Sequence, residues 1–302
     1  MRIAFAGTPE AAVPTLSALL SSNHTVEFVI TRPDAPKGRG RQLAASPVAE
    51  VATSHGLEVI KTSKLSEVAS KVASLDAVIV VAFGGLVPKD LLDVPKHGWI
   101  NVHFSLLPHW RGAAPVQHAI MAGDDVTGVT TFRIDEALDT GPMFAYVTTS
   151  IGQIETAGAL LDRLAIEGAN LAVATLDNLE QGSMLPLEQP LDGVTYAPKI
   201  TTEDARINWN DPALAISRKI RGVTPHPGAW TTANEERYKL GPVKLATEIT
   251  NLKPGQVGFV DGEVYVGTGS HAVALDQIQL PGKTFTDSAN WARNLKEDLE
   301  FQ

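Results

Sequence analysis

Residues 77–83 read AVIVVAF, an apolar run with no polar residue to mark a solvent face. A strand with one wet face alternates; one this uniform must be covered on both sides. Covering both sides takes helices on each face, which points to an α/β protein with a parallel sheet. The flanking sequence supplies the parts. Residues 2–6 and 26–30 are short apolar strands, and Gly7-Thr8-Pro9 between them is a sharp turn into a helix with Val13, Leu16, Leu19 and Leu20 on one face. Ser46-Pro47 caps a helix that ends near Gly56, followed by a strand at 57–60. Strands follow at 99–104, 127–134 and 143–149, the last two separated by an acidic loop. A long helix at 155–181 ends at Gly182. Strand alternating with helix implies a doubly wound, mostly parallel sheet.

From residue 186 to 206 the chain is rich in proline and turn residues and poor in periodicity, a linker signature. Beyond it the texture changes. A helix at 212–221 is followed by Pro225 and Pro227 and then by short β-like segments at 230–232, 238–245, 256–260, 263–266 and 273–279. Short strands with glycine turns between them suggest a small barrel or sandwich. The expected organisation is a first domain at 1–185, a linker at 186–206 and a second domain at 207–302.

The chain has no cysteine, which excludes thiolate nucleophiles, disulfides and cysteine-held metal clusters. The net charge of −9 argues against non-specific coating of nucleic acid, although an acidic body can carry a local basic surface. The first apolar run is too short for a secretory signal, and no stretch approaches membrane-spanning length, so a soluble cytoplasmic protein is expected. The turn at 6–10 lacks the G-x-G-x-x-G spacing of a dinucleotide fingerprint.

Candidate chemistry concentrates in residues 99–112, WINVHFSLLPHWRG. Asn101 and His103 lie two apart on a strand, so both leave the same face. They also sit toward a strand's carboxyl end, where doubly wound sheets bind ligands. An amide and an imidazole side by side suit a developing oxyanion; equally, His103 is a satisfied core histidine and Asn101 a turn residue. Asp139, in ALDTG, is either an Asx-turn residue or a carboxylate that orients the imidazole, the latter if the two share neighbouring strand ends. Residues 31–45 hold Arg32, Lys37, Arg39 and Arg41 against Asp34 alone, which reads as a solvated loop or as a clamp on a phosphate-bearing substrate. Phe83-Gly84-Gly85-Leu86 follows the central strand; its glycines allow either a tight turn or close approach of a flat ring.

The combination of NVHFSLLPHWRG, the RGxxP at 111–115 and ALDTG resembles the formyltransferases that use 10-formyltetrahydrofolate. Asn101, His103 and Asp139 fall on that family's catalytic Asn, His and Asp, and Ser105, Leu106, Leu107 and Pro108 on its folate-contacting turn. FAGTPE, RPDAPKGRGRQL, VTYAPKITTEDARINW and KIRGVTPHPGAW extend the likeness across nearly the whole chain, and are similar to the branch that formylates methionine on initiator tRNA. Sugar-nucleotide formyltransferases share the first domain and part of the second. One departure is that Phe83 and Gly85 stand where a tyrosine and a longer polar or charged residue are expected.

The resemblance implies a Rossmann-like first domain and a small, OB-like second barrel that binds tRNA. It implies transfer of the formyl group to the methionine α-amine of initiator Met-tRNA for translation initiation, by a monomer. Asn101 and a protonated His103 would hold the oxyanion, Asp139 would keep His103 cationic, and Phe83–Leu86 would wall the pterin. No metal is implied. Arg32, Lys37, Arg39 and Arg41 would enter the acceptor stem, with Lys199, Arg206 and Arg221 continuing the track.

Overall fold

The computed structural model describes residues 1–37, 42–293 and 299–302. Contacts divide the chain into two compact units, residues 1–115, 126–150 and 161–197 in the first, and 116–125, 151–160 and 198–302 in the second.

The strands of the first unit are β1 Arg2–Gly7, β2 Thr25–Thr31, β3 Ala35–Lys37, β4 Gln42–Ala44, β5 Glu58–Lys61, β6 Ala77–Val81, β7 Trp99–His103, β8 Val126–Arg133 and β9 Met143–Ser150. Seven of them form one sheet in the order β5-β2-β1-β6-β7-β8-β9, while β3 and β4 pair apart from it as a hairpin. The apolar run becomes the central strand: every residue of β6 is buried, between β1 and β7. The strand stops where Ala82 turns to a positive φ of 47°, and Phe83 is buried beyond it. The first five strands in this order run parallel; β7–β8 and β8–β9 are antiparallel. A direct hairpin cannot return a strand parallel, so the closely spaced pair at 126–150 had to reverse.

Helices α1 Val13–Leu20, α2 Pro47–Ser54, α3 Ala69–Val72, α4 Pro115–Ala122 and α5 Ala157–Glu180 connect or follow these strands in the chain. Ser46 caps α2 by accepting from the Ala49 amide. Within α5, Gly168 lies so close to the sheet that a Cβ would meet Val102 at 2.8 Å. Val102 therefore faces α5, and alternation turns Asn101 and His103 to the other face. Residues 186–197 are fastened to the first unit: Leu187 pairs with Met143, and Tyr196 forms a bridge with Arg111.

In the second unit, α6 Ala213–Gly222 and α7 Ser288–Ala292 accompany two antiparallel four-stranded sheets. Its strands are β10 Trp230–Ala233, β11 Glu236–Leu240, β12 Val243–Ala246, β13 Val257–Val260, β14 Glu263–Val266, β15 Ala272–Leu275, β16 Gln277–Gln279 and β17 Phe285–Asp287. One sheet has the order β10-β11-β16-β17 and the other β12-β15-β14-β13. The segments expected as single strands at 238–245 and 273–279 each split and feed both sheets. Gly241-Pro242 interrupts the first, since proline cannot donate to a ladder, and Asp276 interrupts the second. Ile216 and Ile220 of α6 join a core in which Phe301 stacks on Trp209 at 5.7 Å and on Trp291 at 6.1 Å. No helix among the described residues is long and apolar enough to cross a membrane.

Candidate active site

β7 carries Asn101 and His103 to the carboxyl edge of the sheet, on the face away from α5. Because Val80 pairs in parallel with Asn101, the segments that follow β6 and β7 leave from the same edge. Residues 83–86 and 105–108 are therefore neighbours in the fold although about twenty residues apart in sequence. β1 and β2 also end there, and this edge holds the reversal of strand order between β1 and β6, the position where such sheets bind ligands.

His103 is buried, with 5% of its surface exposed. Its Nε2 lies 3.0 Å from the carbonyl oxygen of Trp110. A carbonyl only accepts, so Nε2 carries the proton and donates. Nδ1 makes no hydrogen bond among the described residues, but faces the Asp139 carboxylate with 3.8 Å between Nδ1 and Oδ2. Burial pushes His103 below its ordinary value; the Asp139 charge and the Trp110 carbonyl pull it back only in part. With the proton on Nε2, the neutral ring has its lone pair on Nδ1, toward Asp139. Removing the ring from water outweighs what a carboxylate beyond hydrogen-bond distance returns, so the ligand-free site favours the neutral ring over the cation that the resemblance implies. The Asn101 amide, half-buried, has no partner among the described residues and is free to donate to a ligand.

Asp139 reaches His103 by a route the sequence did not suggest. β8 runs antiparallel to β7, Ile100 opposite Arg133 and His103 opposite Thr130, so the loop after β8 starts at the far end of β7. The two residues do not share neighbouring strand ends; the loop folds back instead. At its tip Asp139 adopts a left-handed φ of 53°, which aspartate tolerates better than most side chains. Its Oδ2 accepts the Gly112 amide at 2.7 Å.

Thr130 pins the 105–108 turn, donating to the Ser105 carbonyl at 2.7 Å and accepting the Leu107 amide at 3.2 Å. Ser105 is fully buried and its hydroxyl is committed to the His109 carbonyl, while Leu107 and Pro108 are buried and Leu106 half-buried. A ligand there meets Leu106 and backbone rather than the serine hydroxyl. After β6, Phe83 is buried, Gly84 has φ 72° and open space on the side where a Cβ would stand, and Leu86 is 86% exposed.

The cations scatter. The Arg32 guanidinium lies over the Phe83 ring, 5.9 Å from its centroid, which places it beside the 83–86 segment. Lys37 ends β3; Arg39 and Arg41 lie outside the described residues. Lys199 is exposed, and Arg206 is exposed against the face of Trp230. Arg221 corrects an expectation: it is 8% exposed, donates to the Glu155 carbonyl at 3.0 Å, and serves the interior of the second unit rather than its surface. Away from the site, His24, Asp177 and Glu180 bring potential ligand atoms together, with the Met1 ammonium 2.9 Å from Glu180.

The family profile described as "Formyl transferase" matches residues 1–176, and "Formyl transferase, C-terminal domain" matches 199–296. The chain belongs to the formyl transferase family. Among curated relatives of this family member, the methionyl-tRNA formyltransferase of Streptomyces coelicolor is 52% identical over 306 aligned positions, 98% of this chain and 97% of that one. That of Arthrobacter sp. is 54% identical, covering 97% and 96%. The N-formyltransferase from Helicobacter canadensis, solved with folinic acid and dTDP-3-aminofucose, shares the fold at TM-score 0.69 with 18% identity, covering 90% of this chain and 98% of that one.

Sequence reading missed the groups that hold the site from behind: the Trp110 carbonyl, the Gly112 amide, Thr130 and Gln189. Backbone groups leave no mark in a sequence, and an isolated glutamine in a proline-rich stretch has no periodicity to betray its burial.

Proposed function

We propose that this chain transfers the formyl group of 10-formyltetrahydrofolate to the α-amine of methionine on initiator tRNA, in the cytoplasm, for translation initiation. The observation that carries the reading is the 52% identity to the Streptomyces coelicolor methionyl-tRNA formyltransferase over 98% of the chain, both units included. A sugar-nucleotide acceptor has only likeness of fold behind it, at 18% identity.

The site's chemistry supports an acyl transfer. An α-amine titrates near pH 8, so a neutral fraction is present to attack the formyl carbon. The carbon–nitrogen bond forms as the carbonyl oxygen gains charge, and the free Asn101 amide donates to that oxygen. The new ammonium loses its proton to His103 Nδ1, and the imidazolium so formed is paired with Asp139. The proton then passes to the folate N10 as its bond to the formyl carbon breaks. The walls at 83–86 and 105–108 hold the folate. Arg39 and Arg41, with Lys37, Lys199 and Arg206, meet tRNA phosphates. One chain carries the whole Asn101–His103–Asp139 set, so a monomer suffices.

The test is single-turnover transfer of labelled formyl to initiator Met-tRNA by the wild type and Asn101→Ala. The wild type transfers, and the variant is expected to be slowed about 100- to 1,000-fold with little change in folate binding, as for loss of one oxyanion donor. A variant within twofold of wild type would contradict the oxyanion role.

A further inference from the structure

Behind Asp139 lies a buried polar chain that the transfer chemistry does not use. Arg111, 9% exposed, points Nε and Nη2 together at the side-chain oxygen of Gln189, at 3.0 and 2.6 Å. Gln189, 7% exposed, then donates both hydrogens of its amide, one to the Asp139 carbonyl and one to the Gly141 carbonyl, each at 2.8 Å. Only this orientation of the amide works, because the reverse would aim an NH2 group at a guanidinium. Gln189 thus engages its carbonyl oxygen and both amide hydrogens in a single geometry.

Both ends of the chain are themselves fixed. The Arg111 amide donates to the Thr195 carbonyl, and its own carbonyl accepts the Ala197 amide. Gly112 sits against the same segment, where a Cβ would meet the Ala197 carbonyl oxygen at 2.6 Å. Asp139 is thus held twice, its carboxylate by the Gly112 amide and its backbone by Gln189, with Arg111 and Gly112 adjacent in sequence. The gap from Asp139 to His103 is 3.8 Å, wider than a hydrogen bond, so a small shift of the 139–141 loop decides whether the two groups hydrogen-bond or only attract through space. We infer that Gln189, oriented by Arg111, is a positioning residue that sets where the Asp139 carboxylate stands relative to His103. It touches neither substrate. The inference rests on the proposed catalytic reading for its kinetic consequence, but not for its structural one.

Gln189→Glu keeps a partner for the Arg111 guanidinium and removes both donors to the loop; Gln189→Met removes donors and acceptor alike without added charge. Two readouts separate positioning from general damage. The first is the kcat-against-KM split for formyl transfer to initiator Met-tRNA. The second is the titration of the His103 imidazole followed by NMR, in Gln189→Met and again with Asp139→Asn in the background. Both variants are expected to melt cooperatively and to lose about tenfold or more in kcat with KM changed less than about twofold. The His103 midpoint falls in Gln189→Met, and Gln189→Met adds no further fall once Asp139 is Asn, because the effect runs through Asp139. A folded variant with wild-type kcat and His103 midpoint would overturn the proposal, as would a midpoint shift that persists in the Asp139→Asn background. If the wild type fails to formylate Met-tRNA while the midpoint behaves as stated, the function proposal fails and the positioning role stands.

Discussion

His103 is where opposing electrostatic effects meet, and the stronger one decides how the residue works. Burial drives the imidazole toward neutrality, Asp139 opposes it from 3.8 Å, and burial prevails. The consequence for stability has a definite sign. The folded group titrates below 6.5, its ordinary value in the unfolded chain, so between those two values the unfolded state binds more protons. His103's contribution is fully present above about pH 6.5 and is lost as pH falls below it. NMR titration of the His103 ring in the free protein checks the direction, with a midpoint expected below about pH 6.5. A midpoint above that value would show that Asp139 outweighs burial. Asn101 and His103 were legible as a same-face pair because strand alternation is a local rule. The direction in which the imidazole is pushed was not, since it depends on burial by residues scattered through the sequence.

At the level of elements, the loop between β8 and β9 decides whether Asp139 reaches the site. Gly141 lies against the Arg133 carbonyl so closely that a Cβ would stand 1.8 Å from that oxygen, a contact with backbone that no side-chain rotation relieves. Gly141→Ala should force the loop outward, lower stability by about 1–3 kcal/mol, and cost activity more than folate affinity. Thermal unfolding together with transfer kinetics reads both effects, and an unchanged melting temperature would refute the tight fit. The strongly periodic or uniformly apolar elements, α5 and β6 above all, were readable from pattern alone. The hairpin reversal at β8–β9, α4 and the splitting of 238–245 between two sheets were not. Pairing partners are chosen by tertiary packing, and in α4 a Pro-Val-Gln-His start offers neither a side-chain cap nor a long stripe.

On the scale of the whole molecule, the proposed tRNA acceptor brings a polyanion to a chain of net charge −9. Local cations must then act against a repulsive background, which makes them few and salt-sensitive. Replacing Arg39 and Arg41 by alanine is expected to raise KM for tRNA roughly tenfold and to flatten its salt dependence by about two counterions, with folate affinity unchanged. Equal kinetics with Met-tRNA at several ionic strengths would remove the loop from the tRNA contact. The cations on this protein could not be sorted by sequence: Arg32 stacks on Phe83 and Arg221 turns inward, and both look from composition like Lys199 and Arg206. What the whole chain is for is tested most directly by its choice of acceptor. Given labelled 10-formyltetrahydrofolate with equal concentrations of initiator Met-tRNA and a dTDP-amino sugar, the protein should place the label on methionine and leave the sugar unformylated. Label on the sugar, with none on Met-tRNA, would contradict the account.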